Sequence, residues 1–339
     1  MTEINRRKAL VQATVAATAL MTSGTSAWAQ GNPVTPRPAA PKAPKLTTTL
    51  RIVIPANPGG GWDQTGRALG AALTAIGAAD QVVYENIGGK GGTIGLAKYA
   101  EKYGDDANTL LMGGMVMVGA VALQKPAIDM THIQPLARLT SDHIVAAVAA
   151  KSPIKTAKNL TDAMRADLKG VPVAGGSAGG VDHIFAGVLA RAAKASPENL
   201  VYKPFAGGAE VVEALVSGNA AVGLSGYSEF SDAIAAGKLR AIGVSSRRSA
   251  FGVPSFREQG LDAVMANWRG VFTGKNVQPS RAMEMLAAVE AATNHESWLR
   301  ALKQNRWETS WLSGKDLTEF MDLDLTTARV MVYLLKLKA

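Results

Sequence analysis

A chain of 339 residues, 47% hydrophobic and 19% charged, is long enough for two globular domains and a large core. It has no cysteine, which excludes disulfides, thiolate metal sites and a cysteine nucleophile. The net charge of +9 is scattered, with no stripe and no basic motif interleaved with aromatics, so acidic small molecules are expected partners and nucleic acid is not.

Residues 1–29 read as an export signal. Arg6, Arg7 and Lys8 precede a small, apolar run at 9–22 that is too short to span a bilayer, and Ala27-Trp28-Ala29 gives an A-x-A cleavage pattern. Asn5 to Val11 is similar to a twin-arginine motif, with Ala9 where a bulky apolar residue is usual. The mature protein is expected in the periplasm. Residues 30–48, dominated by Pro, Ala, Lys and Thr, read as a flexible, partly polyproline tail.

From Leu50 onward strand-like and helix-like units alternate. Ile52, Val53 and Ile54 form a short apolar run, followed by a turn-rich loop with Pro55, Asn57, Pro58, Gly59, Gly60 and Gly61, and then a helical pattern whose first turn holds Asp63. Such a loop places backbone N–H groups at the positive end of a helix, where an anion binds. The plainer alternative is a connection that uses glycine only to turn. The device recurs. Strands at 81–85, 109–112, 171–174, 200–203 and 220–224 each lead through glycines (86–95, 113–114, 175–180, 206–208, 225–227) into a helical pattern. Further strands are expected at 133–139, 144–150, 239–245 and 268–273, an amphipathic helix at 156–169, and a largely helical remainder. The alternation argues an α/β architecture with mostly parallel sheets, whose ligands bind beyond the carboxyl ends of the strands.

Gly175-Gly176-Ser177-Ala178-Gly179 satisfies G-x-S-x-G between a strand and a helix, so an extracytoplasmic serine esterase with Ser177 as nucleophile is the alternative function. Only His132, His143, His183 and His295 could serve as base; His183 lies too close along the helix, and no oxyanion motif precedes the serine. Gly88 to Gly92 fails the Walker spacing, and no glycine cluster gives G-x-G-x-x-G. Asp182-His183 lacks a third metal ligand at a useful spacing. No catalytic residue, metal or cofactor is assigned.

Eight stretches, in order along nearly the whole chain after the signal, carry a resemblance: 55–69 (PANPGGGWDQTGRAL), 84–95 (YENIGGKGGTIG), 108–114 (NTLLMGG), 135–148 (PLARLTSDHIVAAV), 175–184 (GGSAGGVDHI), 223–230 (GLSGYSEF), 235–248 (AAGKLRAIGVSSRR) and 256–272 (FREQGLDAVMANWRGVF). The chain resembles the Bug-type periplasmic solute receptors of tripartite tricarboxylate transporters, in their tricarboxylate-binding branch. The resemblance implies a type II periplasmic-binding-protein fold, with two α/β lobes, two crossovers and a cleft. The lobes would be 49–142 with 267–339, and 143–266. It implies no enzymatic activity. It also implies two partners, a small organic anion such as citrate and a membrane permease, with the receptor itself a monomer. The family's first ligand loop matches Asn57, Pro58, Gly59, Gly60, Gly61, Trp62 and Asp63, and its second matches Gly175, Gly176, Ser177, Ala178, Gly179, Gly180 and Val181. Thr93 would close the side of the site. Trp62 reads equally as a lid over the ligand or as a loop anchor. Lys90, Lys203, Arg138 and Arg269 are candidates for outer carboxylates or for surface ion pairs, and Glu229 for a ligand hydroxyl or for its own helix start.

Overall fold

The computed structural model describes residues 44–338; the export signal and most of the tail lie outside them. The first half builds βα units. β1 (Thr47–Ile54) leads to α1 (Gly61–Ala75), β2 (Ala79–Asn86) through a 3-10 turn at Lys90–Gly92 to α2 (Thr93–Tyr103), and β3 (Thr109–Gly114) to α3 (Met115–Gln124). All of β3 is buried, as a strand covered on both faces requires. β1 starts two residues inside the stretch expected to be tail, because Leu46, at 8% exposure, already packs in the core.

β4 (Ile133–Ala149) then runs on for 17 residues without a break. It is followed by α4 (Ala157–Ala166), β5 (Val173–Gly175), α5 (Val181–Ala192), β6 (Tyr202–Pro204), α6 (Gly208–Val216), β7 (Val222–Gly226), α7 (Tyr227–Ala235) and β8 (Leu239–Val244). The chain returns along β9 (Ala266–Gly274) and closes with α8 (Pro279–Thr293), α9 (Glu296–Asn305), β10 (Glu308–Ser313) and α10 (Gly314–Leu334). α4 shows the local logic. Thr156 accepts the Asn159 N–H at its start, and Ala157, Leu160, Thr161 and Met164 fall on one buried stripe.

Hydrogen bonding gives two lobes that share β4. One sheet runs β2-β1-β3-β9-β4-β10, and the other runs β8-β4-β7-β5-β6. β4 pairs with β9 from Ile133 to His143 and with β7 and β8 from Ile144 onward, so the strand crosses between sheets at residues 143–144. Three expectations are corrected. The sheets are mixed: β1/β2, β1/β3, β5/β6 and β5/β7 are parallel, but every pairing of β4, and β3/β9, is antiparallel, because the crossing strands run against the βα units. The strands expected at 133–139 and 144–150 are one, since the polar residues Thr140 to His143 between them pair with β9; the two register shifts lie earlier, at Pro135–Ala137 and Arg138–Thr140. Residues 308–313, expected to be helical, form β10 on the free edge of β4.

Among the described residues no helix is long and apolar enough to cross a membrane.

Candidate functional site

The carboxyl ends of the parallel strands converge on a cleft of about 600 Å³. Its wall is made by the loops after β1, β2, β5 and β6, with Val116 at the start of α3 and Ser225 and Glu229 around the start of α7. Both sheets contribute, and the first turns of α1, α5 and α6 face inward. First-turn N–H groups have no acceptor within their own helix, so each of these termini offers main-chain donors to an anion.

A single device shapes four of these loops. α1, α5, α6 and α7 have glycine N-caps (Gly60, Gly180, Gly207, Gly226) with no capping side chain. An acid in the first turn reaches back instead. Asp63 accepts the Gly59 N–H at 2.9 Å, Asp182 the Gly176 N–H at 2.9 Å, Glu210 the Ala206 N–H at 2.9 Å, and Glu229 the Ser225 hydroxyl. Each loop is thereby held in shape while its glycines stay open to the cleft. Only Gly59 (φ 87°) and Gly179 (φ 81°) use left-handed backbone in the two principal loops.

Of the residues expected to bind ligand, Asn57, Gly60, Gly61, Trp62, Gly176, Ser177 and Ala178 line the cleft. Pro58 and Gly59 line an adjoining pocket of about 280 Å³ that shares Asn57, Gly60 and Glu229 with it. The others stand behind the wall. Asp63 is 4% exposed and is occupied by Arg67 at 2.9 Å and Asn86 at 2.9 Å as well as by Gly59. Burial pushes its carboxyl up, but those three donors outweigh it and hold the group below its ordinary value. Thr93 does not close the side of the cleft; its hydroxyl is spent on the Lys90 carbonyl and Gln124 behind the turn. Gly175 is buried at the end of β5, Gly179 gives its N–H to His183 Nδ1 at 3.0 Å, and Gly180 gives its own to the Ser177 carbonyl at 2.9 Å. Trp62 serves as loop anchor as well as wall: it is 7% exposed and its ring lies against Gly92.

The charged candidates separate cleanly. Lys90 lines the cleft, the only cation among the described residues that does. Lys203 is tied to the Asn219 carbonyl, and Arg138 to the Ser310 carbonyl under the Phe320 ring. Arg269 is buried behind α1, paired with Asp142 at 2.5 Å and resting on Trp307, with its guanidinium 2.6 Å from where a Cβ on Gly61 would stand.

Asp182, Glu210 and Glu229 were not foreseen as a group of cleft acids, although an acid in each first turn was visible in the sequence. Burial, reinforced by Glu229 and Asp142, pushes the Asp182 carboxyl up to about 7 against the Gly176 N–H and Arg269. His183 is held down to about 4 by burial, so its ring is neutral; it stacks on Tyr202 at 4.1 Å, and the Tyr202 hydroxyl donates to the Gly176 carbonyl at 2.7 Å. With its Nδ1 accepting the Gly179 N–H, His183 braces the second loop. Among the described residues no group of three or more His, Asp or Glu is placed to hold a metal ion.

A family model described as tripartite tricarboxylate transporter family receptor matches residues 69–335. A protein of Pseudomonas sp. (strain P51), named as the UPF0065 protein in the tcbD-tcbE intergenic region, is 27% identical over 267 residues, covering 74% of this chain and 76% of its own. The periplasmic binding protein BugD superposes with a TM-score of 0.77 at 19% identity over 86% of this chain and 98% of its own. MatC from Rhodopseudomonas palustris, solved with bound malate, gives 0.72 at 22% identity over 84% and 98%. These likenesses identify the fold as that of periplasmic binding proteins, and because the family is one of receptors, Ser177 is no catalytic nucleophile. The chain belongs to the tripartite tricarboxylate transporter receptor family.

Proposed function

We propose that the protein captures a small organic di- or tricarboxylate, citrate among them, in the periplasm and presents it to the membrane permease of a tripartite tricarboxylate transporter. One observation carries this: glycine loops at the N-termini of α1 and α5, one from each sheet, face each other across a single cleft. A carboxylate held there by main-chain donors makes charge-assisted hydrogen bonds of about 1.5–3 kcal/mol each, and four or five could outweigh ordering costs to give roughly micromolar affinity or better. The malate held by MatC supports a carboxylate ligand. The lobes divide at residues 142–143 and 266–267 and swing about the crossovers. Ligand favours the closed form only through its greater affinity for it. The protein acts as a monomer, exported by way of residues 1–29, with Arg6 and Arg7 as the pair of a twin-arginine signal.

The test is a thermal-shift screen with citrate, tricarballylate, malate, succinate, adipate and a neutral sugar. A ligand at about 100 times its dissociation constant adds about 2.7 kcal/mol. A selective rise with one di- or tricarboxylate is expected; no rise with any acid would remove the proposal.

A further inference from the structure

Asp182 stands in the first turn of α5, in the cleft wall, with one carboxylate oxygen on the Gly176 N–H. Around it are Glu229 on α7, Asp142 on β4, Arg269 on β9, Tyr202 on β6 and His183 on its own helix; Glu210 on α6 and Lys90 complete the charged groups of the wall. Arg269 is engaged by Asp142 and Thr65. Burial leaves His183 neutral and keeps the Tyr202 hydroxyl protonated. The wall therefore sets three carboxylates against one ammonium. An organic anion adds at least one more carboxylate, and closure of the cleft removes the water that screens them. Two carboxylates in a dry site do not both remain ionised; they share a proton.

We propose that Asp182 receives the ligand as a protonated acid, its O–H donating to a ligand carboxylate, so that capture of the anion takes up one proton from solvent. This rests on the chain being the anion receptor described above. Burial beside Glu229 and Asp142 raises Asp182 to about 7, and an added negative charge raises it further. By linkage, affinity is flat below that value and falls as pH rises above it, by up to about tenfold per pH unit.

The experiment is titration calorimetry of the full chain with malate and adipate, which are fully ionised from about pH 6.5 to about pH 8.5, so that any proton taken up goes to the protein. Binding is measured in two buffers of different ionisation heat. Wild type is expected to show buffer-dependent heat equivalent to between half and one proton, with Kd rising up to tenfold between about pH 7.5 and about pH 8.5. Asp182→Asn, whose amide can both accept from Gly176 and donate to a ligand, is expected to bind with flat Kd and buffer-independent heat. Wild-type binding with no proton uptake overturns the proposal and leaves the receptor standing. So does undiminished uptake in Asp182→Asn, which would put the proton elsewhere. No binding of malate, adipate or citrate at any pH overturns the receptor itself, and the proposal with it.

Discussion

Gly60 and Gly176 both border the cleft, yet the same substitution has different consequences at each. A Cβ on Gly60 meets only the Asn57 carbonyl, at 3.7 Å, and the backbone is extended, so valine fits and its methyls fill cleft space that the proposed carboxylate would occupy. Gly60→Val is expected to abolish ligand binding in calorimetry while costing about 1 kcal/mol of stability, the difference between glycine and a β-branched residue at an N-cap. A Cβ on Gly176 would stand 3.0 Å from Asp182 Oδ2, the atom that holds this loop in place. Gly176→Val is expected to lose both binding and thermal stability. Ser177→Ala removes only a hydroxyl from the wall and is expected to weaken binding by about 1–2 kcal/mol. Asp182 also leaves a mark on the ligand-free protein. Its folded value lies above the ordinary carboxylate range, so its contribution is fully present below about pH 4 and is lost as pH rises through about 7. Asp182→Asn should therefore melt higher than wild type at about pH 8, by an amount that shrinks toward about pH 4.

At the scale of elements, α1 begins correctly because Asp63 gathers Gly59, Arg67 and Asn86 at once. Asp63→Ala is expected to destabilise the protein by about 1–2 kcal/mol in urea denaturation at neutral pH, as loss of a helix cap does. The Asp63 value is lowered in the fold, so its stabilisation is present above about pH 4 and lost as pH falls through the folded value; the gap between variant and wild type should close as pH falls below that value. The elements most legible in the sequence were of this kind, where apolar run, glycines and first-turn acid all speak locally. The strand–loop–helix units around Asn57 and Ser177 are legible that way. Thr93 was misplaced because which face of the 88–92 turn meets the cleft depends on Gln124, on a helix 31 residues away. β10 was missed because its half-buried residues are strand only by virtue of pairing with β4.

For the whole molecule, the Asp142–Arg269 pair sits where β4 passes from one sheet to the other, and Arg269 also touches α1 through Thr65. Removing one partner strands a buried charge, so Arg269→Met is expected to cost about 3–5 kcal/mol. Adding Asp142→Asn should restore much of it, and a double-mutant cycle by chemical denaturation measures the coupling. The antiparallel crossing was not legible from any single stretch, since it joins residues over 120 positions apart.

The placement of β9 has a consequence for the order in which the protein is made. β9 fills the middle of the first sheet, between β3 and β4, yet it is translated after every strand of the second. A nascent chain that has emerged only as far as residue 250 holds all of β5 to β8 and the half of β4 they pair with, but the first sheet still has a gap at its centre. The part synthesised first is therefore finished last, and chains stalled at that length should expose β1 to β3 to protease while the stretch from β5 to β8 is already protected.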